Sequence, residues 1–255
     1  MTIPTVVCGR TGRMAKLIAA AVEHAPGLDL AARLSLRTPY PAGASGTAAE
    51  GSVPVLRSLG QLPVARPVVV DFTAREATAA LLREAVDAPC PLVVGTSGLG
   101  DAEQKLIAAA GRGSAVVVAA NFSVALLAVA RFVRELSLQV DEDWDAGVLD
   151  VHFAGKRDRP SSTARFLAGR WRPAPEATET KEPGPEIAAF RMGDGVSEHR
   201  LLAAGPGEHV EVLHRVADRS AFLPGILRSV RFAAAAEPGV YSLEDVAWAP
   251  AAAPG

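Results

Sequence analysis

The chain has 255 residues, 49% of them hydrophobic, with 26 Lys and Arg against 28 Asp and Glu and a formal net charge of -2. That length buries a sizeable core, in one large domain or two, and the near-neutral balance offers no global attraction to nucleic acid or to an anionic membrane. No stretch reaches the roughly 18 unbroken apolar residues of a membrane span, and the opening MTIPTVVCGR lacks a charged leader followed by an apolar run. Cys8 and Cys90 sit in apolar, strand-like contexts without metal-ligand spacing. The expectation is a reduced, cytoplasmic protein with no metal, no nucleic-acid partner and no membrane.

Ile3 to Cys8 is a short apolar run that ends at Gly9-Arg10-Thr11-Gly12-Arg13-Met14-Ala15, after which an amphipathic helix runs to about Glu23. A strand, a glycine turn and a helix in that order open a dinucleotide-binding unit. Gly9 permits the tight turn and Gly12 lets the backbone approach a pyrophosphate, while Ala15 stands where helix and strand pack. Leu28 to Leu36 alternates cleanly and predicts the second strand. An NAD site would carry an acid near the end of that strand, yet Leu30 to Ala49 contains no Asp or Glu. Arg37, and after it Arg33, are the cations available for a 2′-phosphate, so the expected cofactor is NADPH, with NADH as the alternative.

A Gly-, Ser- and Pro-rich loop over Pro39 to Ala49 precedes short elements at Val53–Leu56 and Ser58–Leu62. Pro67 to Phe72 then reads as a buried parallel strand, followed by a helix at Glu76–Val86, a strand at Pro91–Val94 ending in the turn Gly95-Thr96-Ser97-Gly98, a helix at Asp101–Ala110 and a strand at Ala115–Ala119. This alternation predicts a Rossmann-like, doubly wound parallel sheet over residues 1–122. After the helix Val124–Leu138 the pattern changes. Strands at Val148–Phe153, Ile187–Arg191, Glu198–Ala204 and His209–Val216 predict a second α+β domain with a mixed sheet over 123–223. Trp171 to Pro185 reads as a mobile loop. A last helix at Gly225–Ala236 and the segment Pro238–Leu243 return toward the first domain, so 224–255 is expected to complete it.

The stretch Asp150 to Ala164 carries the chemistry. Alternation puts Asp150 and His152 on one strand face, with Leu149, Val151 and Phe153 on the other. A polar loop containing Lys156 follows, and then Ser161 as N-cap of a helix whose first N–H groups, at Ser162 and Thr163, favour a carboxylate. An imidazole, an ammonium and an anion-binding helix end thus fall within fifteen residues.

Together the motifs GRTGRMA, VDFT, VGTSG, AANFS, HFAGKRDRPSSTA, GDGVSEH, EVLHRVADRSAF and PGVYSLEDV, spread almost end to end, resemble the dihydrodipicolinate reductase family of the lysine and diaminopimelate pathway. The resemblance implies an NADH- or NADPH-dependent oxidoreductase. It would transfer hydride to a cyclic unsaturated imine carboxylate, hydroxy-tetrahydrodipicolinate or a close analogue, within a homotetramer built by the second domain. It implies cofactor contacts at Gly9, Arg10, Thr11, Gly12, Arg13 and Met14, at Phe72, at Gly95, Thr96 and Ser97, and at Ala119, Ala120, Asn121 and Phe122. His152 and Lys156 match the family's residues at the site of protonation.

Three positions depart from the family pattern: Phe153 replaces the second of two histidines, Ser162 replaces the glycine of PSGT, and Ser197 that of GEH. A carboxylate held by Ser162, Thr163 and Arg219, with an apolar group against Phe153, is the arrangement these changes favour. Two alternatives stand beside the parent activity: a paralogue reducing a different cyclic imine or ene substrate in specialised metabolism, and a non-catalytic binding or scaffold protein.

Overall fold

The computed structural model describes residues 2–36, 53–62, 66–172, 184–194 and 197–249. Arg37, the 39–49 loop and most of the Trp171–Pro185 loop therefore lie outside the described residues, as does the terminal tail. The chain divides into two compact units, one comprising residues 1–122 and 222–255, the other 123–221.

The first unit is a seven-stranded sheet built from β1 (Ile3–Cys8), β2 (Leu28–Leu34), β3 (Val55–Leu56), β4 (Val68–Asp71), β5 (Leu92–Val94), β6 (Ala115–Val118) and β11 (Gly239–Tyr241). Its order is β11-β6-β5-β4-β1-β2-β3 and all of its pairings are parallel. Helices α1 (Arg13–His24), α2 (Arg75–Asp87), α3 (Asp101–Gly111), α6 (Leu223–Ala235) and α7 (Leu243–Trp248) belong to the same unit. Strands covered on both faces must be apolar throughout, and Val68, Val69 and Val70 are all fully buried. The strand order reverses direction at β1, flanked by β4 and β2. At such a switch point the loops diverge, and a crevice opens outside the carboxyl ends of the strands.

The second unit holds α4 (Val124–Gln139), β7 (Asp145–His152), α5 (Ser162–Ala168), β8 (Glu186–Arg191), β9 (Ser197–Gly205) and β10 (Glu208–Val216). Its sheet runs β10-β9-β7-β8, with β7 and β8 parallel and the other pairs antiparallel, so it is mixed. One face packs Val148, Leu201 and Ala203 against Val133 of α4 and Ala164 and Ala168 of α5, with Trp144 and Trp171 sealing the layer. Gly205 has no room for a side chain because a Cβ there would meet the Trp144 indole at 2.2 Å. At one end of this face the apolar layer gives way to a polar row, Asp150 on β7, His199 on β9 and His214 on β10, which the register places directly opposite one another. No described helix is long and apolar enough to cross a membrane.

Candidate active site

In the first unit a cleft of about 690 Å³ opens beside the glycine turn, lined by Gly9, Arg10, Thr11 and Gly12, by Leu34, Ser35 and Leu36, and by Asp71, Phe72, Thr73 and Ala74. Gly9 has φ +86, where a side chain is strained, and a Cβ there would also press on Thr73 Cγ2 at 3.3 Å and Ala15 Cβ at 3.4 Å. Gly12 is the N-cap of α1, which has no side-chain cap and no acidic residue in its first turn, so the positive helix end is left to an anion. A dinucleotide pyrophosphate fits this cradle. Arg13 and Met14 are the first two residues of the helix.

Arg33, the second cation expected for a 2′-phosphate, turns to the backbone of the glycine turn. It is buried, and its Nε and Nη2 donate to Gly9 O at 3.1 and 2.7 Å, with Arg10 O at 3.4 Å from Nη2. The guanidinium braces the glycine turn from behind.

The other expected cofactor turns are also interlocked. Asp71, almost fully buried, accepts from Thr73 N at 3.1 Å and Thr73 Oγ1 at 2.6 Å, from Thr78 Oγ1, and from Thr96 Oγ1 at 3.3 Å. The Phe72 ring fills the space in front of Gly95, where a Cβ would lie 2.1 Å from Cε1, and stacks at a tilt on Phe122 with centroids 5.0 Å apart. Ser97 is exposed, and Ala119, Ala120 and Asn121 follow the end of β6.

In the second unit β7 ends at His152. Met192 N donates to His152 O and Ala154 N to Gly193 O, and the chain then turns, with Lys156 N donating to Phe153 O at 3.1 Å. Phe153 is therefore half-buried just past the strand, its ring beside Gly155. Lys156 Nζ lies 2.8 Å from Asp158 Oδ1. Ser161 caps α5, its Oγ accepting from Ala164 N at 3.1 Å; Ser162 is exposed and Thr163 buried. Arg219 opens the 3-10 turn Arg219–Phe222 after β10.

Asp150 sits under this loop with no solvent exposure. Oδ2 accepts from Ser161 N at 2.8 Å and Arg191 Nη2 at 3.1 Å, and Oδ1 from Ser161 Oγ at 2.8 Å. His152 Nδ1 is 2.9 Å from Oδ1, a short contact that is not aligned as a hydrogen bond, and His199 Nε2 is 3.5 Å from the same oxygen. Burial acts to raise the Asp150 carboxyl, but the Ser161 and Arg191 donors and the neighbouring His152 outweigh it and hold it below its ordinary value. Burial lowers His152, only partly offset by Asp150, and pushes His199 down to about 4. Asp150, His152 and His199 bring metal-type ligand atoms within 4.8 Å of one another. With the Arg191 guanidinium already bound to that carboxylate, the group is an acid-base cluster rather than a cation cage.

Models of the dihydrodipicolinate reductase N-terminus and C-terminus match residues 3–122 and 125–247. The chain belongs to the dihydrodipicolinate reductase family. It is 35% identical to the 4-hydroxy-tetrahydrodipicolinate reductase of Rubrobacter xylanophilus, over 96% of this chain and 98% of that protein, and 31% identical to the enzyme of the same name from Methanoculleus marisnigri, again over 96% and 98%. Among solved structures, the dipicolinate-bound dihydrodipicolinate reductase from Paenisporosarcina sp. TG-14 shares the fold, with a TM-score of 0.75 at 20% identity over 96% of this chain and 99% of that one. Dihydrodipicolinate reductases are pyridine-nucleotide-dependent oxidoreductases, and the Rossmann-like sheet and second mixed-sheet unit are those of the family.

Within the dihydrodipicolinate reductase pattern, the structure brings Gly9 to Gly12 and Phe72 into one cleft, and sets His152 at the end of β7, Lys156 in the turn after it, and Ser162 and Thr163 at the start of α5. Reading the sequence alone missed Asp150 as the hub, with Arg191 and His199 as its partners. The signal was a lone acid at an inward position two residues before His152.

Proposed function

We propose that this chain reduces 4-hydroxy-tetrahydrodipicolinate or a close cyclic imine carboxylate with NADPH, as a soluble cytoplasmic enzyme. The observation that carries the reading is the pairing of His152 with the buried, ionised Asp150, next to a loop that presents Lys156. A reduced nicotinamide supplies the hydride when bound. The residues of this chain handle the proton: hydride addition to a conjugated imine builds negative charge, and a positioned acid lowers that barrier by roughly 10²- to 10⁴-fold. His152, at the end of β7, and Lys156, in the loop after it, are the two donors assigned to this step. Gly9 to Met14 hold the pyrophosphate, with the turns at Gly95 to Ser97 and Ala119 to Phe122 completing the nucleotide site. The absence of any acid between Leu30 and Ala49 favours NADPH over NADH, with Arg37 as the cation for the 2′-phosphate. The test is NADPH oxidation with freshly generated substrate. Turnover that His152→Gln and Lys156→Met each abolish supports the reading, and wild-type rates in both variants would sink it.

A second substrate is favoured by Phe153. A phenyl ring cannot donate to a carboxylate, so a second acid group held there loses a partner worth about 1–3 kcal/mol. In this reading Ser162, Thr163 and Arg219 hold one carboxylate and Phe153 faces an apolar substituent. Comparing kcat/KM of the wild type and Phe153→His on the doubly acidic substrate separates the two readings: a large gain in the variant indicates the alternative substrate.

The same reading includes a homotetramer. Phe190 on β8, Leu202 on β9 and Leu213 on β10 are all exposed on the sheet face turned away from α4 and α5. An apolar sheet face of this kind is ordinarily covered. Light scattering at four times the chain mass is the expected result, and a monomer would contradict it.

A further inference from the structure

We propose that Asp150 is the positioning residue for His152, fixing which imidazole nitrogen carries the proton, and that Arg191 holds the Asp150 carboxylate in the orientation this needs. The inference rests on the reading of His152 as a proton donor and names what makes it one.

Asp150 is unusually constrained for an acid. Three donors reach its two oxygens, Ser161 N, Ser161 Oγ and Arg191 Nη2, none farther than 3.1 Å. Arg191 is fixed in turn. Its side chain is 8% exposed, Nη1 donates to Phe190 O at 2.7 Å, and Nη2 donates to Asp158 O at 2.5 Å. One guanidinium therefore ties the carboxylate to strand β8 and to the loop that carries Lys156. Carboxylate oxygens that already accept from these donors cannot rotate to suit the imidazole, so the imidazole must suit them.

Oδ1 faces His152 Nδ1 at 2.9 Å. A lone pair on Nδ1 would oppose the carboxylate, so Nδ1 carries hydrogen and Nε2 is the nitrogen left to exchange a proton with a substrate. The contact is not aligned as a hydrogen bond, and catalytic hydrogen bonds commonly tighten only in the reaction complex. A carboxylate on Nδ1 sets the tautomer and stabilises the imidazolium, which is how acid-base histidines are oriented in unrelated folds. The charged and titratable groups facing His152 are Asp150 on its own strand, Arg191 on β8, His199 on β9 with ring centroids 5.2 Å away, and Lys156 and Asp158 from the loop. His199 also approaches Oδ1 but at 3.5 Å and almost fully buried, where it stays neutral. His152, closer to Oδ1 and less deeply buried than His199, is the partner left to exchange a proton.

The experiment is Asp150→Asn followed by ¹⁵N-histidine NMR and steady-state kinetics. An amide keeps an acceptor toward Ser161 N and Arg191 only by turning its NH₂ toward His152, which forces hydrogen off Nδ1 and onto Nε2. The expected result is a switch of the neutral tautomer from Nδ1–H to Nε2–H and a His152 titration moved to lower pH. With these, kcat falls by at least about tenfold while the Kd for NADPH stays within about twofold. An unchanged His152 tautomer and titration in Asp150→Asn would overturn the proposal whatever the rate does. A fully active His152→Gln enzyme would instead remove the reading beneath it. Should Asp150→Asn fail to fold, Arg191→Lys gives the same test: it keeps a cation beside Asp150 but not the forked contacts. A mixed His152 tautomer with lowered kcat and unchanged NADPH affinity supports the proposal, and an unaltered spectrum overturns it.

Discussion

Arg33 on β2 donates two hydrogen bonds to a single carbonyl, that of Gly9, from behind the glycine turn proposed to cradle the cofactor pyrophosphate. A buried cation held in this way fixes the direction of the turn's N–H groups and adds positive potential where two phosphates would sit. Arg33→Met is expected to weaken NADPH and NADH alike, by about tenfold, since a hydrogen bond from a charged group contributes roughly 1.5–3 kcal/mol net and part of that is lost from the turn's orientation. Titrating both cofactors by fluorescence checks this. A loss confined to NADPH would make Arg33 a reader of the 2′-phosphate instead.

The Gly95 position sets a second expectation. A Cβ there would fall 2.1 to 2.6 Å from three atoms of the Phe72 ring, and that ring is already stacked on Phe122. Gly95→Ala must displace Phe72 from the cleft wall, an overpacking cost of typically 1–3 kcal/mol. The expected outcome is a lower melting temperature together with weaker cofactor binding. Normal values for both would mean the ring has somewhere else to go.

The pH dependence of stability follows from the buried histidines. His199 is pushed down to about 4 in the folded chain from an ordinary value of 6.5, burial being the largest cause, and His152 and His214 are lowered as well. Between those values the unfolded chain binds a proton that the native state refuses, so stability rises with pH across the window and is lost as pH falls from about 6.5 toward 4. For His199 alone the change is on the order of 3 kcal/mol. Asp150 acts in the same direction but only at lower pH, because its lowered carboxyl loses its stabilising contribution below the ordinary carboxylate range. Urea unfolding at about pH 7 and about pH 4.5 measures the slope, and His199→Gln should flatten it.

Much of this was legible in the chain. The continuous valines of β4 to β6 announce strands buried on both faces, the glycine turn after β1 lies at the switch point, and Ser161 caps the helix its position predicts. The backbone bonds of Arg33 were not legible: the alternation of Leu28, Leu30, Ala32 and Leu34 sets it on the opposite strand face, and only the fold shows that this position is buried behind the glycine turn, where the guanidinium donates to Gly9 O. Asp150 was seen as a neighbour of His152 but not as a hub. Its partners Ser161, Arg191 and His199 come from a loop and two other strands, and only the cross-strand register puts them together.

The last expectation concerns the pair Lys156 and Asp158, 2.8 Å apart and both partly exposed. Burial acts to raise the Asp158 carboxyl, but the hydrogen bond and charge of Lys156 outweigh it and hold it below its ordinary value, so the carboxylate is ionised near neutral pH. The Lys156 ammonium is thus engaged, and on the proposed reading a substrate must draw it away from Asp158 before it can donate its proton. Exposed pairs of this kind contribute about 0.2–1 kcal/mol. Asp158→Asn removes the competitor but leaves the loop anchored, because Arg191 Nη2 bonds the Asp158 backbone carbonyl rather than its side chain. KM for a carboxylated substrate should therefore fall by about two- to fivefold at low salt, with the difference shrinking as salt screens the pair. The rate constant kcat should fall too, because the freed ammonium loses the restraint that aims it. Steady-state kinetics at two ionic strengths decides the matter. Unchanged KM and kcat at both would show that Asp158 takes no part in presenting Lys156, and a raised KM would show that it contacts the substrate itself.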